Sequence, residues 1–291
     1  MPWEELVNAS RAISKAVTDL SAAGVPSPRV DAELLAAHVL GVARTRLPLA
    51  GAFDRDQLNR FRALVARRAG REPLQYLLGT AAFRHLELRV GPGVFVPRPE
   101  TEVLVEWGLR HVGDGLVVDL CSGSGAVALA VAQECPDARV YAVERDPAAL
   151  EWLRRNAADR AAAGDRRVRV VAADATDPAV LSTLDGTVDL VLCNPPYVPA
   201  GTAVPAEVGE YDPAQAVFAG SDGLDTIGPI ITRAATLLRP GGWLGIEHDD
   251  GHASAVPALL RQDGRYRDIA DHTDLGGRPR FTVARLAGCK P

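Results

Sequence analysis

Cysteine is scarce and scattered. The four residues, Cys121, Cys135, Cys193 and Cys289, form no C-x-x-C pair. That spacing excludes a disulfide framework or a zinc ribbon and suits reduced thiols. Met1-Pro-Trp-Glu-Glu5 carries neither the basic segment nor the apolar stretch of a signal peptide. No apolar run approaches the roughly 18 residues that a membrane span requires. The expected location is therefore cytoplasmic, with no membrane partner. A positive excess is missing as well: the net charge is −5 and the pI near 5.7. Such a chain is not built to neutralise a phosphate backbone wholesale.

What is present is an ordinary globular composition, 47% hydrophobic and 24% charged over 291 residues. That length allows one or two domains with buried cores. Residues 1–75 carry more basic than acidic side chains and the remainder the reverse, a first hint of two units. Residues 1–75 read as helical throughout. Ser27-Pro28 starts a helix that buries Leu34, Leu35, Val39 and Leu40 and stops at Gly41. Asp54 and Gln57 spell a capping box, after which Leu58, Phe61, Leu64 and Val65 follow at helical spacing. With no His/Cys/acid cluster and no glycine-rich loop, this segment suits recognition or support. Residues 76–93 alternate like a short hairpin linker ending in Gly91-Pro92-Gly93. From residue 94 the pattern changes to strands at 116–120, 139–143, 168–172, 188–193 and 243–248, with two late ones at 266–270 and 280–285. Helices fit between them at 126–135, 147–163, 225–239 and 253–262. Strands alternating with helices specify an α/β fold with a mostly parallel sheet. Ligands in such sheets sit beyond the carboxyl ends of the strands.

The motifs fall there. Val118-Asp119-Leu-Cys121-Ser122-Gly123-Ser124-Gly125 is a strand, a tight glycine loop and a helix start. About 20 residues on, the second strand ends in Glu144, the place for a carboxylate that accepts both ribose hydroxyls. Asp174, after the third strand, can accept from an adenine amine. The third glycine of a dinucleotide fingerprint is absent, since position 128 is Ala, and there is no Walker lysine. An adenosine ligand without phosphates fits better. S-adenosylmethionine is one, and its positive charge suits Asp119 or a nearby carboxylate.

The fourth strand ends in Asn194-Pro195-Pro196-Tyr197. An amide or amine nitrogen on an sp² carbon is a poor nucleophile, because its lone pair is delocalised. The Asn194 side-chain oxygen and the Pro195 carbonyl can hold its two N–H bonds, bias it toward tetrahedral geometry and aim the lone pair at a methyl group. Prolines fix φ near −65° and donate nothing, so the acceptors stay rigid. Tyr197 offers a face to a planar group. The gain is mainly in-line positioning, and no metal is called for. As a strand terminator alone, Asn-Pro-Pro is also unremarkable in chemistry.

These segments resemble class I S-adenosylmethionine-dependent methyltransferases that act on amide or amine nitrogen. Arg71-Glu-Pro-Leu-Gln-Tyr-Leu-Leu-Gly79 and Val96-Pro-Arg-Pro-Glu-Thr-Glu102 are more specific and resemble the HemK/PrmC family, protein-glutamine N5-methyltransferases of peptide chain release factors. Asp222-Gly-Leu-Asp225, Pro240-Gly-Gly242 and Asp274-Leu-Gly-Gly-Arg-Pro-Arg280 extend the likeness over nearly the whole chain. The resemblance implies a Rossmann-like sheet of seven mostly parallel strands behind a small all-helical N-terminal domain, divided as 1–75, 76–93 and 94–291. It implies that Cys121, Ser122, Gly123, Ser124, Gly125, Glu144 and Asn194 contact S-adenosylmethionine, leaving S-adenosylhomocysteine as product. It further implies that Asn194, Pro195, Pro196 and Tyr197 hold the glutamine of the Gly-Gly-Gln motif, and that the helical domain docks the release factor. Three positions depart from the family's pattern. Cys121 replaces Gly, Ala175 replaces a larger residue flanking the adenine, and Asp212 shortens a Tyr-Glu-Pro motif.

Residues 198–223 form a connection long enough to act as a lid over the substrate. His248-Asp-Asp-Gly-His252 follows a strand and lacks a matching third ligand, so it reads as a loop rather than a metal site. Arg98 and Glu102 either shape the cofactor pocket or cap a helix, and Val103, Leu104 and Trp107 face the core by spacing. Adenine-N6 methylation of DNA or RNA presents the same H₂N–C(sp²) geometry to Asn194, but normally wants a basic groove. A nicotinamide oxidoreductase would share the glycine loop and Glu144 but gives no reason for Asn-Pro-Pro-Tyr. A third alternative is a binding module that retains the fold without catalysis.

Overall fold

The computed structural model describes residues 7–288, so Cys289 and Met1–Glu5 lie outside the described residues. The chain divides into two compact units, one holding the residues up to Thr80 together with Pro205–Tyr211, the other Ala81–Val204 and Asp212 onward.

In the first unit, β1 (Val7–Asn8) pairs antiparallel with β2 (Ala52–Phe53) beside helices α1 (Ala9–Ala22), α2 (Pro28–Leu40), α3 (Arg55–Ala69) and α4 (Leu74–Leu78). Helix α2 starts with Pro28 in its first turn and ends on Gly41 at φ 66°, a left-handed cap that suits glycine. Leu35 and Val39 are buried as its pattern required, while Leu34 and Leu40 sit half-buried at its edge. Both bonds of the capping box at Asp54 and Gln57 form. The core gathers Leu20, Leu35, Phe53 and Phe61, with the two phenyl rings stacked at 5.0 Å.

A buried charge network accompanies that core. Arg68, 5% exposed, donates through Nε to Asp31 Oδ2 at 2.8 Å and through Nη2 to Glu207 Oε1 at 2.9 Å. Arg71 forks onto both Glu207 oxygens at 2.8 and 2.6 Å. Glu207 lies on α8 (Ala206–Tyr211), in the connection that follows the fourth predicted strand. Two paired arginines thus hold a segment more than 130 residues downstream in the helical unit.

The second unit opens at Ala81, one residue into the hairpin of β3 (Thr80–Phe83) and β4 (Leu86–Arg89), and continues with α5 (Glu102–Val112). Its sheet uses β5 (Leu116–Leu120), β6 (Arg139–Glu144), β7 (Arg169–Ala172), β8 (Val188–Cys193), β9 (Leu238–Glu247), β10 (Tyr266–Thr273) and β11 (Pro279–Leu286). The seven strands run in the order β10-β11-β9-β8-β5-β6-β7; β11 is antiparallel to both of its neighbours, β10 and β9, and the other pairs are parallel. The chain walks from β5 outward through β6 to β7, then returns to the other side of β5 as β8. The strand order therefore reverses between β5 and β8, which is where a ligand crevice opens in such sheets. Both faces are covered. Helices α5, α6 (Ala126–Glu134) and α7 (Pro147–Ala162) bury one face with Leu104, Leu129, Leu153 and Leu192. Helices α10 (Ile227–Leu237) and α11 (Ala255–Asp263) bury the other with Ile230, Val256 and Ile246.

One boundary changes, and two segments gain detail. Strand β9 begins at Leu238 rather than 243, because Val188 pairs with Leu238 and a register shift absorbs Pro240-Gly-Gly242. Helix α5 is a full element, with Leu104 buried and Val103 and Trp107 packed against the core as their spacing required. The connection 198–223 is structured, holding α8, α9 (Ala214–Val217) and a parallel bridge between Val198 and Phe218. Among the described residues no helix is long and apolar enough to cross a membrane.

Candidate active site

Strand β5 is buried on both faces and delivers the chain to the glycine loop at its carboxyl end. Cys121 takes φ 61°, Gly123 55° and Gly125 91°. Gly125 has a packing reason: a Cβ there would lie 2.6 Å from Leu153 Cδ1. Cys121 holds a left-handed conformation that costs an L residue about 1 kcal/mol. Cys121→Val, β-branched, is expected to destabilise the protein by about 1–2 kcal/mol, whereas Cys121→Gly stays within about 0.5 kcal/mol of the parent. Chemical denaturation midpoints of the two variants check this.

The loop is clipped to its neighbours. The Ser122 amide donates to the Val143 carbonyl at 2.9 Å, and its hydroxyl to the Asp119 carbonyl at 3.0 Å. Asn156, 2% exposed, donates to the Ser124 carbonyl at 2.9 Å. Glu144 ends β6. Its Oε2 accepts from the Gly123 amide, and its Oε1 from the Arg145 and Asp146 amides, all at 2.8 Å. Asp119 is 1% exposed; its Oδ2 accepts from the Ala128 amide at 3.1 Å, and its Oδ1 is buried with no partner. Burial pushes its pKa from 3.8 up to about 7. Asp174, past the end of β7, is already engaged, with Oδ1 accepting from the Thr176 amide at 2.8 Å and Oδ2 meeting Arg145 at 3.0 Å. Ala175 packs at 5% exposure against the core on the α10 side of the sheet.

Strand β8 brings the tetrapeptide to the same edge. Asn194 is half-buried, Pro195 and Pro196 are buried, and Tyr197 is half-buried. The Asn194 Nδ2 donates to Thr101 Oγ1 at 3.0 Å, which leaves Oδ1 as an acceptor. Among the described residues no backbone donor is aimed at the Pro195 carbonyl. The Tyr197 hydroxyl donates to Glu247 Oε1 at 2.9 Å. Burial, then the neighbouring Glu247 charge, pushes the Tyr197 phenol well above its usual range. Gly223, at φ 78°, presses on this turn: a Cβ there would lie 2.2 Å from the Tyr197 carbonyl oxygen and 2.8 Å from His252 Cε1. Gly223→Ala is accordingly expected to displace Tyr197, lowering turnover about tenfold and stability by about 2 kcal/mol. Steady-state kinetics and thermal unfolding measure both.

Asp119, Cys121–Gly125, Glu144, Asp174 and Asn194–Tyr197 thus lie together along the carboxyl edge of β8, β5, β6 and β7, although the Asp174 carboxylate is tied up in its own turn. Thr101, Glu247, Arg280 and Asn156 escaped the sequence reading. Thr101 lies within Val96–Glu102 and Arg280 within Asp274–Arg280, but only the fold shows what they touch. Arg98 is the N-cap residue of the short 3-10 helix Pro99–Thr101, where its carbonyl accepts from the Thr101 amide at 3.1 Å; its guanidinium meets the fully buried carboxylate of Asp212 at 2.6 Å and stacks on Phe95. Glu102 starts α5 and accepts from the Arg84 amide at 2.9 Å. His248 is buried against Asp271 and Thr282 at 2.8 and 2.9 Å, and His252 meets the Asp222 carbonyl at 2.8 Å. Among the described residues no group of three His, Cys, Asp or Glu is placed to hold a metal ion.

A seven-stranded sheet of this order, with a glycine loop after its first strand, β5, defines a Rossmann-like methyltransferase. Residues 86–210 match the methyltransferase small domain and residues 11–79 the PrmC N-terminal domain. A methyltransferase from Pyrococcus furiosus has the same fold, at a TM-score of 0.53 and 18% identity, over 71% of this chain and 92% of that one. The release factor glutamine methyltransferase of Mycolicibacterium smegmatis is 52% identical over 95% of this chain and 97% of its own length. That of Streptomyces coelicolor is 47% identical over 94% and 97%. The chain belongs to the release factor glutamine methyltransferase family.

Proposed function

We propose that this protein methylates the side-chain amide nitrogen, N5, of the glutamine in the Gly-Gly-Gln motif of peptide chain release factors, in the cytoplasm, with S-adenosylmethionine as donor and without direct contact to nucleic acid. The observation that carries the reading is the Asn194 amide. Its nitrogen is tied to Thr101 at 3.0 Å, so its oxygen is the atom presented at the tip of β8. Beside it the Pro195 carbonyl is held by a ring that fixes φ. Two fixed acceptors suit the two N–H bonds of a carboxamide, and the Tyr197 ring suits its plane.

The residues at the other half of the edge fit the donor. The orphaned Asp119 Oδ1 is a buried acceptor that a cationic ligand would satisfy. Gly123 and Glu144 form a rigid unit at the place where a ribose is held in this fold. When bound, S-adenosylmethionine supplies a methyl group already activated by its sulfonium. The chain therefore has to orient the amide, not to generate a nucleophile from a hydroxyl or thiol. Asn194 and Pro195 do so by accepting both amide hydrogens, which draws the nitrogen lone pair out of conjugation and holds it in line. The helical unit and the segment it holds through Glu207 are the proposed docking surface for the release factor.

Incubation with labelled methyl donor and an intact release factor, followed by mapping of the modified residue, tests the reading. Label on the glutamine of the Gly-Gly-Gln motif is expected. Label on adenine in DNA or RNA supplied in parallel, with none on the protein, would replace this reading by the nucleic-acid one.

A further inference from the structure

The chemistry above uses Asn194, Pro195 and Tyr197 and leaves a buried acid behind them without a task. Glu247 ends β9, the strand beside β8, and is 1% exposed. Its Oε1 accepts from the Tyr197 hydroxyl at 2.9 Å, and its Oε2 is buried with no hydrogen-bond partner. Burial pushes its pKa up to about 7, opposed by the Thr101 and Tyr197 hydroxyls and the Arg280 guanidinium. Arg280 itself keeps a buried Nε without a partner and reaches Asp274 only at 3.4 Å. Packing alone gives no reason for such a group, since apolar residues of similar volume usually serve a core at least as well.

The connections suggest the reason. Thr101, which favours the charged form of Glu247, also accepts the Asn194 amide. Tyr197 is the last residue of the tetrapeptide and Asn194 the first. Glu247 thus holds the Tyr197 end directly, and the Thr101 hydroxyl that stabilises its charge holds the Asn194 end.

Resting on the function proposed above, we propose that Glu247 is a positioning residue that fixes the Tyr197 hydroxyl and, with Thr101, the orientation of the Asn194 amide. It touches neither the glutamine nor the donor. The positive charge of Arg280 balances the same carboxyl from a distance, and the Asn194–Tyr197 turn is held in one geometry instead of several.

Glu247→Ala, Glu247→Gln, Tyr197→Phe and the Tyr197→Phe/Glu247→Ala pair test this with an intact release factor. Glu247→Ala is expected to lower kcat about 30-fold or more, while KM for the release factor and Kd for S-adenosylhomocysteine stay within about threefold. Glu247→Gln keeps an acceptor for the phenol and returns to within about fivefold of the parent. The double variant is no worse than the poorer single one, because both act through one bond. A crystal structure of Glu247→Ala is expected to show the Tyr197 hydroxyl displaced by about 1 Å or more, a shift on the scale that matters for catalytic alignment. A folded Glu247→Ala enzyme with parental kcat, equal impairment of the Ala and Gln variants, or an unmoved turn would each overturn the inference. If Glu247→Ala does not fold, Glu247→Gln and Tyr197→Phe decide it, the first expected near the parent and the second impaired; the reverse order would overturn it. Failure of the parent protein to methylate any release factor would sink the function, whereas the position of the turn in the variant crystal would still decide the role of Glu247.

Discussion

Asn194→Ala is expected to lower kcat at least about a hundredfold, on the order of 3 kcal/mol of transition-state stabilisation. The substitution removes the oxygen left free by the Thr101 contact, together with the Nδ2 bond to Thr101 that orients it. With only the Pro195 carbonyl remaining, the carboxamide can turn about its single held N–H bond, and the lone pair is no longer aimed. Substrate binding depends on a much larger protein surface, so KM for the release factor should change little. That split, a fall in kcat with KM nearly constant, marks an interaction realised in the transition state. A variant that loses KM and keeps kcat would instead make Asn194 a simple binding residue. Asn194→Asp is informative beside it: an acceptor is kept, but the Nδ2 donor to Thr101 is lost, so partial activity is expected.

The motifs on the sheet edge were legible in the sequence because each is local. A strand, a glycine loop and a helix start lie within about ten residues, as do the hydrophobic strand β8 and its terminal Asn-Pro-Pro-Tyr. The positions of strands β5, β6, β7 and β8 followed from short apolar runs bounded by turn residues. Pairings between distant residues left no such trace. Thr101 lies 93 residues before Asn194, and Glu247 lies 50 after Tyr197; no periodicity joins them. The start of β9 was hidden for another reason. Pro240-Gly-Gly242 reads as a break, and only the pairing of Val188 with Leu238 carries the strand through it. Likewise Glu207 looks like one more acid in a polar connection. Its place in the helical unit depends on Arg68 and Arg71, which the sequence separates from it by 139 and 136 residues.

Asp119→Asn is expected to raise stability and weaken donor binding together. Burial lifts the Asp119 pKa from 3.8 to about 7 in the folded protein, with hydrogen bonds from Ser122 and the Ala128 amide only partly opposing it. Folding therefore favours the protonated form. Below pH 3.8 the carboxyl is neutral in both states and contributes nothing; as the pH rises toward 7 the unfolded chain ionises first, and folding becomes progressively costlier. Above about pH 7 the loss levels off at roughly 4 kcal/mol. Asparagine keeps an oxygen for the Ala128 amide and carries no charge, so the variant escapes that loss. The unliganded variant should melt higher than the parent at pH 8, by about 10 °C, and the gap should close as the pH falls toward 4. At the same time the buried anion that awaits a cationic ligand is gone, and affinity for S-adenosylmethionine should fall about tenfold or more at pH 8, some 1.4 kcal/mol. Melting curves at pH 4, 6 and 8, with calorimetric titration of the donor at pH 8, measure both halves. A variant as unstable as the parent at pH 8 would mean that Asp119 is not charged at a cost there. A variant that is more stable but binds the donor unchanged would leave that cost without a functional return.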